Sequence, residues 1–91
     1  MAIVRIPPVL RPSTNGEREV EAAGSSVAEV LGNLAEAHPA TKDQIFAADG
    51  ALNRYVNVYL NDEDVRVLGG LDTAVGEGDQ LVILPAMAGG S

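Results

Sequence analysis

Apolar and polar positions alternate most regularly over residues 54–60, RYVNVYL. Val56, Val58 and Leu60 fall on one face, with Tyr55, Asn57 and Tyr59 on the other, so this stretch predicts a strand with two unlike faces. Residues 2–6 carry a shorter version, with Ile3, Val4 and Ile6 apolar, and Pro7-Pro8 ends it because proline has no donor for a ladder. In 17–22, Glu17, Glu19 and Glu21 alternate with Arg18, Val20 and Ala22, the pattern of a strand with one face in water. A short strand is expected at 65–67, broken by Gly69-Gly70, and a last one at 80–84. Alternation there allows either Leu81/Ile83 or Val82/Leu84 as the inward pair, and does not choose between them.

The period changes after Gly24. Val27, Val30, Leu31, Leu34 and Ala35 recur at three- and four-residue spacing, which puts them on one helical face. Ser26 and Glu29 have the spacing of a capping box at its start. The helix should stop near His38, because Pro39 disfavours helical geometry in the residue before it. A second short helix is expected over 41–47, with Ile45 and Phe46 turned inward, and a helical turn over 71–75. Residues 9–19 read as a loop with a turn at Asn15-Gly16, and 61–64, NDED, as a turn rich in residues that bond their own backbone. The order strand, strand, helix, strand, short strand, strand predicts an α+β domain: a sheet with one main helix packed across a single face.

Composition narrows the function more than the fold. The 91 residues are enough for one modest core, and with Phe46, Tyr55 and Tyr59 the only aromatics that core must be built from Val, Ile, Leu and Ala. The net charge is −7 and Lys42 is the only lysine, so no basic patch can neutralise a run of phosphates and nucleic acid is not an expected partner. There is no cysteine, hence no thiolate nucleophile or thiolate metal site. The opening MAIVRIPPVL is too short and too proline-broken for a signal peptide, and no run approaches membrane-spanning length. No membrane partner is expected, and the expected location is the cytoplasm.

Catalytic constellations are thin. His38, the only histidine, falls where a helix ends and a cation is favoured by the dipole. Asp62, Glu63 and Asp64 lack the alternating ligand spacing and central glycine of a calcium loop. Gly69-Gly70 and Gly76/Gly78 match neither nucleotide-binding glycine pattern. The expectation is a chain with no catalytic residue, no metal and no bound cofactor: not an enzyme by itself.

What remains is the ending, LVILPAMAGGS. Gly89 and Gly90 have no side chains, so the backbone there can enter a narrow channel in another protein. A glycine carboxylate is also the least hindered acyl group a chain can present. The bland alternative is frayed chain. Residues 1–85 are read as the folded domain and 86–91 as a flexible tail.

The opening IPPVLRP, the segment VNVYLNDEDVR, the segment GGLDTAVGEGD and the ending VILPAMAGG together resemble the ubiquitin-like β-grasp sulfur carriers, the ThiS/MoaD/CysO group. The long first loop and NDEDVR most resemble the actinobacterial cysteine-pathway carrier. The resemblance implies a mixed β-grasp sheet and a reactive Gly90, with Ala88 and Gly89 threading into partners. A ubiquitin-activating-type adenylating enzyme would consume ATP to activate Gly90, and sulfur transfer would give a thiocarboxylate. In the cysteine-pathway version the sulfur goes to an aminoacrylate on pyridoxal phosphate in an acceptor synthase, and a metallopeptidase releases the product. Cysteine, a thiosugar or other natural product, thiamine thiazole and molybdopterin all stay open as destinations.

Ser91 departs from this pattern, because activation requires a free Gly90 carboxylate. It is read as a removable extension of a pro-form, with a cloning remnant or a deliberate block as the alternatives. Competing readings of the whole chain are a protein modifier joined through Gly90 and a non-covalent interaction module. Leu84, Pro85, Met87, Tyr55 and Tyr59 are the candidate partner contacts.

Overall fold

A computed structural model describes residues 1–85 of the chain. It contains β1 (Ala2–Arg5), β2 (Glu19–Ala22), α1 (Val27–Ala37), α2 (Lys42–Ile45), β3 (Val56–Leu60), β4 (Glu63–Asp64) and β5 (Gln80–Pro85), with 3-10 turns between them. The five strands form one mixed sheet in the order β2-β1-β5-β3-β4. β1 and β5 run parallel, and every other neighbouring pair is antiparallel.

The faces of the sheet follow the period of two. Ala2, Val4 and Ile6, Val56, Val58 and Leu60, and Leu81 and Ile83 are buried beneath the helical layer. α1 meets them with Val27, Val30, Leu31 and Leu34, all fully buried. Burial of one such aliphatic side chain is worth about 1.5–3 kcal/mol. Ile45 of α2 joins the same core, with Phe46 and Leu52 packed at its edge. The alternative left open by alternation in the last strand is therefore decided for Leu81/Ile83.

The start of α1 is a capping box shifted by one residue. Ser26 Oγ accepts the Glu29 N–H at 3.2 Å, while Glu29 Oε1 accepts the N–H of Ser25, at 2.8 Å, rather than that of Ser26. Gly24 makes this approach possible: its φ is +149°, and a Cβ there would lie 2.7 Å from the Val30 nitrogen. At the other end His38 caps α1, and its carbonyl accepts both the N–H and, at 2.7 Å, the hydroxyl of Thr41.

Three expectations need correction. Much of the first loop is a 3-10 helix, Pro8–Thr14. Proline is suited to a first helical position, Leu10 anchors the segment in the core, and the Thr14 hydroxyl is used internally against Arg11 and Glu17 carbonyls. The turn expected over 61–64 contracts to Asn61-Asp62, both at positive φ, and the register Leu60↔Glu63 makes Glu63–Asp64 the strand. The strand expected at 65–67 is a turn, because Asp64 accepts the N–H groups of both Arg66 and Val67 and bends the chain away; Val67 is 79% exposed.

Gly24→Ala combines a backbone clash with a strained φ, and is expected to cost about 2–4 kcal/mol in urea unfolding. An unchanged midpoint would mean that the helix start adapts without strain. A second expectation concerns acid. The Ser25 N–H and hydroxyl hold the Glu29 carboxyl below its ordinary value of 4.5. The folded pKa lies below the unfolded one, so this contribution is complete above about pH 4.5 and is lost as pH falls through the lower folded value. Glu29→Gln should therefore flatten the acid limb of a stability–pH curve in that window, and an unaltered limb would remove the box from the account.

Candidate functional site

β5 is the central strand, bonded on one side to β1 and on the other to β3. Its inward residues, Leu81 and Ile83, are at most 1% exposed, so the strand that leads into the chain's last residues is fixed in the core. Its outward residues, Val82 and Leu84, lie on the face of the sheet opposite the helices. Val82 is level with Tyr59 and Leu84 with Asn57, which makes Tyr59 and Leu84 diagonal neighbours on this open face. Ile3 of β1 shares it, and Leu84 is 43% exposed. An apolar strip of Ile3, Val82, Tyr59 and Leu84 thus runs diagonally across the open sheet, from the start of β5 toward its end.

Pro85 lies on the other side. It is level with Val56, whose side chain is buried, and with Val9, Leu10, Gln44, Asn53 and Tyr55 it lines a shallow groove of about 300 Å³ at the edge of the helical layer. Tyr55 is 52% exposed there, with the Arg54 guanidinium 5.3 Å from its ring centroid. The partner-contact candidates therefore divide between two surfaces: Leu84 and Tyr59 on the open face, Pro85 and Tyr55 at the groove. Met87, Ala88, Gly89, Gly90 and Ser91 lie outside the described residues.

Three contributors were missed in the sequence. Ile3 and Val82 read simply as strand residues, and only pairing reveals which face each takes. Arg66 bonds Asn57 Oδ1 at 2.8 Å through Nη1, and the carbonyls of Val56 and Asn53 at 2.9 and 3.2 Å through Nη2. This clip ties the turn after β4 to the start of β3, beside Leu84. A single arginine in NDEDVR gives no signal of such a role without the fold.

The remaining chemical candidates resolve as structure. His38 is a helix cap, and Asp62 sits in the two-residue turn. Asp79 accepts the Gly76 N–H at 2.8 Å, and that bond is the main cause holding its carboxyl below the ordinary 3.8. Among the described residues no three metal-ligating side chains converge. Nor is any helix among them long and apolar enough to cross a membrane. The arrangement is suited to holding a backbone segment firmly at its base beside an apolar contact face.

Comparison with known proteins agrees with that geometry. The chain is 44% identical over 89 residues to the sulfur carrier protein CysO of Mycobacterium tuberculosis, covering 96% of each. Its fold superposes with a TM-score of 0.89 on a chain of the BexX/CysO complex of Amycolatopsis orientalis, at 44% identity over 96% of this chain and 97% of that one. It superposes at 0.86 on the small archaeal modifier protein 1 of Methanosarcina acetivorans, at 29% identity over 96% and 93%. The ThiS family model matches residues 4–90, reaching the second glycine of the ending. The chain belongs to the ThiS family of ubiquitin-like, β-grasp sulfur-carrier proteins.

Proposed function

We propose that this protein is a sulfur carrier of the CysO kind, a cosubstrate whose reacting group is the C-terminal carboxyl of Gly90. The observation that carries the reading is the central position of β5, joined to a family match that runs to residue 90. Leu81 and Ile83 anchor the strand, and the residues beyond Pro85 include nothing bulkier than Met87. A small-residue ending on a fixed base is what a partner's narrow channel requires.

The chemistry follows from the acyl group. With Ser91 attached, the Gly90 carbonyl is an amide, a poor group for activation, so a peptidase first releases serine and leaves a carboxylate. One carboxylate oxygen then attacks the α-phosphorus of ATP in an adenylating enzyme of the ubiquitin-activating type, and pyrophosphate leaves. A sulfur nucleophile adds to the acyl carbon and expels AMP, giving the thiocarboxylate. That sulfur is a strong nucleophile toward an electrophilic acceptor held by a synthase. A pyridoxal-phosphate enzyme supplying an aminoacrylate fits a cysteine-forming destination. The similarity to CysO supports this route. The chain contributes the reacting acyl group, its positioning and its recognition, and the catalytic groups belong to its partners.

A second reading has its own support. The likeness to the small archaeal modifier protein 1 fits conjugation through Gly90 to amines on target proteins, by the same adenylation step. A ladder of heavier adducts in cells would favour it over sulfur transfer.

Intact mass decides the main reading. Forms ending at Gly90 and at Ser91 are each incubated with an adenylating enzyme from the same genome, ATP and sulfide. Only the Gly90 form is expected to gain the mass of one oxygen exchanged for sulfur. No change in either form, with an enzyme shown to be active, would overturn the carrier role. The open face is the proposed docking surface, so Leu84→Glu should weaken binding to that enzyme by about tenfold or more with little change in melting temperature. Equal affinity in titration calorimetry would remove the strip from the interface.

A further inference from the structure

The cations of this acidic protein are not spread evenly. β1 and β5 are parallel, so the end of β1, the end of β5 and the start of β3 all lie at one end of the sheet, the end from which the chain leaves Pro85. On one side of β5, Arg5 closes β1, and the Arg18 carbonyl accepts the Ile6 N–H one step further on. Arg11 bonds the Ile6 carbonyl through Nε at 3.2 Å. On the other side, Arg54 lies two residues before Val56, and Arg66 is clipped to the Asn53 and Val56 carbonyls. All five arginines therefore lie to either side of the second half of the central strand, with Arg5 level with Val82 and paired with Glu19 at 3.1 Å. Lys42 opens α2, whose next two residues line the groove beside Pro85.

Carboxylates are arranged the other way. Glu17 and Glu19 interleave with the arginines, Asp64 lies level with Tyr59, Asp43 lines the groove beside Pro85, and Glu36 and Asp49 belong to the helical side. The opposite end holds Glu21, Glu29, the Asp62–Glu63 hairpin, and Asp72, Glu77 and Asp79 before β5, with no lysine or arginine and only the Met1 ammonium, paired with Glu77, as a cation. The net charge of −7 is thus concentrated away from the exit of the chain.

We propose that the arginines flanking β5 guide the carrier, terminal residues first, onto an acidic rim around the channel of its activating partner. This rests on the carrier reading above. Distance separates the arginines from the reaction: five residues from Pro85 to Gly90 span about 17 Å when extended, more than a physiological Debye length of about 8 Å. The guanidinium groups act on the surface at the channel mouth rather than on the acyl phosphate. Sign selects the partner chemistry. A basic rim would attract the acidic pole and present the wrong end, whereas an acidic rim repels that pole and turns the arginine end inward.

Association rates test this directly. The chain has no tryptophan, so the partner's tryptophan emission can report stopped-flow binding to the adenylating enzyme from the same genome. Arg18→Gln/Arg54→Gln removes one exposed guanidinium from each flank and leaves the Arg66 clip intact. The rate is expected to fall about five- to tenfold at low salt and to converge with the parent's at high salt. Arg18→Lys/Arg54→Lys should keep most of the parent rate. An unchanged or faster Gln variant, or a Lys variant as slow as the Gln one, overturns the guide. ATP–pyrophosphate exchange with the parent Gly90 form separates the two readings. Normal exchange with an unaltered Gln rate sinks the guide alone, and no exchange sinks the carrier reading and the guide with it.

Discussion

The parallel pairing of β1 with β5 is the constraint on which the rest of the structure depends. It joins the first strand to the last, and it places the last strand in the middle of the sheet. A strand at an edge has one unpaired row of backbone groups and can peel away. β5 is bonded on both sides, and Leu81 and Ile83 lock it from below. A parallel pair also requires a long crossover, and the helical layer between β2 and β3 covers the face that this pairing creates. The segment nearest the end of the chain is thereby tied to the most protected part of the molecule.

That arrangement reconciles a chemically sparse set of side chains with a chemical role. The threonines at the core, Thr14 and Thr41, are consumed in local hydrogen bonds, and His38 caps a helix. The surface around β5 is instead marked by apolar and cationic groups: the strip from Ile3 to Leu84 on the open sheet, and arginines to either side of β5. Both are consequences of sheet register. A one-residue slip of β5 would send Leu84 inward and Ile83 outward, and would exchange the contact face for the core. The turn after β4 serves the same end, since Asp64 bends it and Arg66 then fastens it back onto β3.

Much of this was legible from the order of residues. The helix from Val27 to Ala37 was marked by its cap, its spacing and the proline beyond it, all local signals. The strand at 56–60 was marked by strict alternation. The small-residue ending, the lack of cysteine and the single lysine bounded the chemistry without any fold, because composition directly excludes a thiolate nucleophile, a thiolate metal site and a lysine-rich phosphate patch. The short strand was misplaced because its position depends on a two-residue turn at positive φ, which backbone sterics permit but do not announce. The 3-10 helix was missed because its order comes from Leu10 reaching a core assembled by distant strands.

The sequence by itself determined the elements whose cause is local: caps, periods, breaks, and a small-residue ending with no bulky side chain beyond Met87. Only the tertiary structure decided which face of β5 is buried, which candidate contacts share a surface, and where the charges sit relative to the exit of the chain. Those properties depend on pairing between strands some eighty residues apart. A parallel ladder between the two ends of a chain leaves no mark in either end alone.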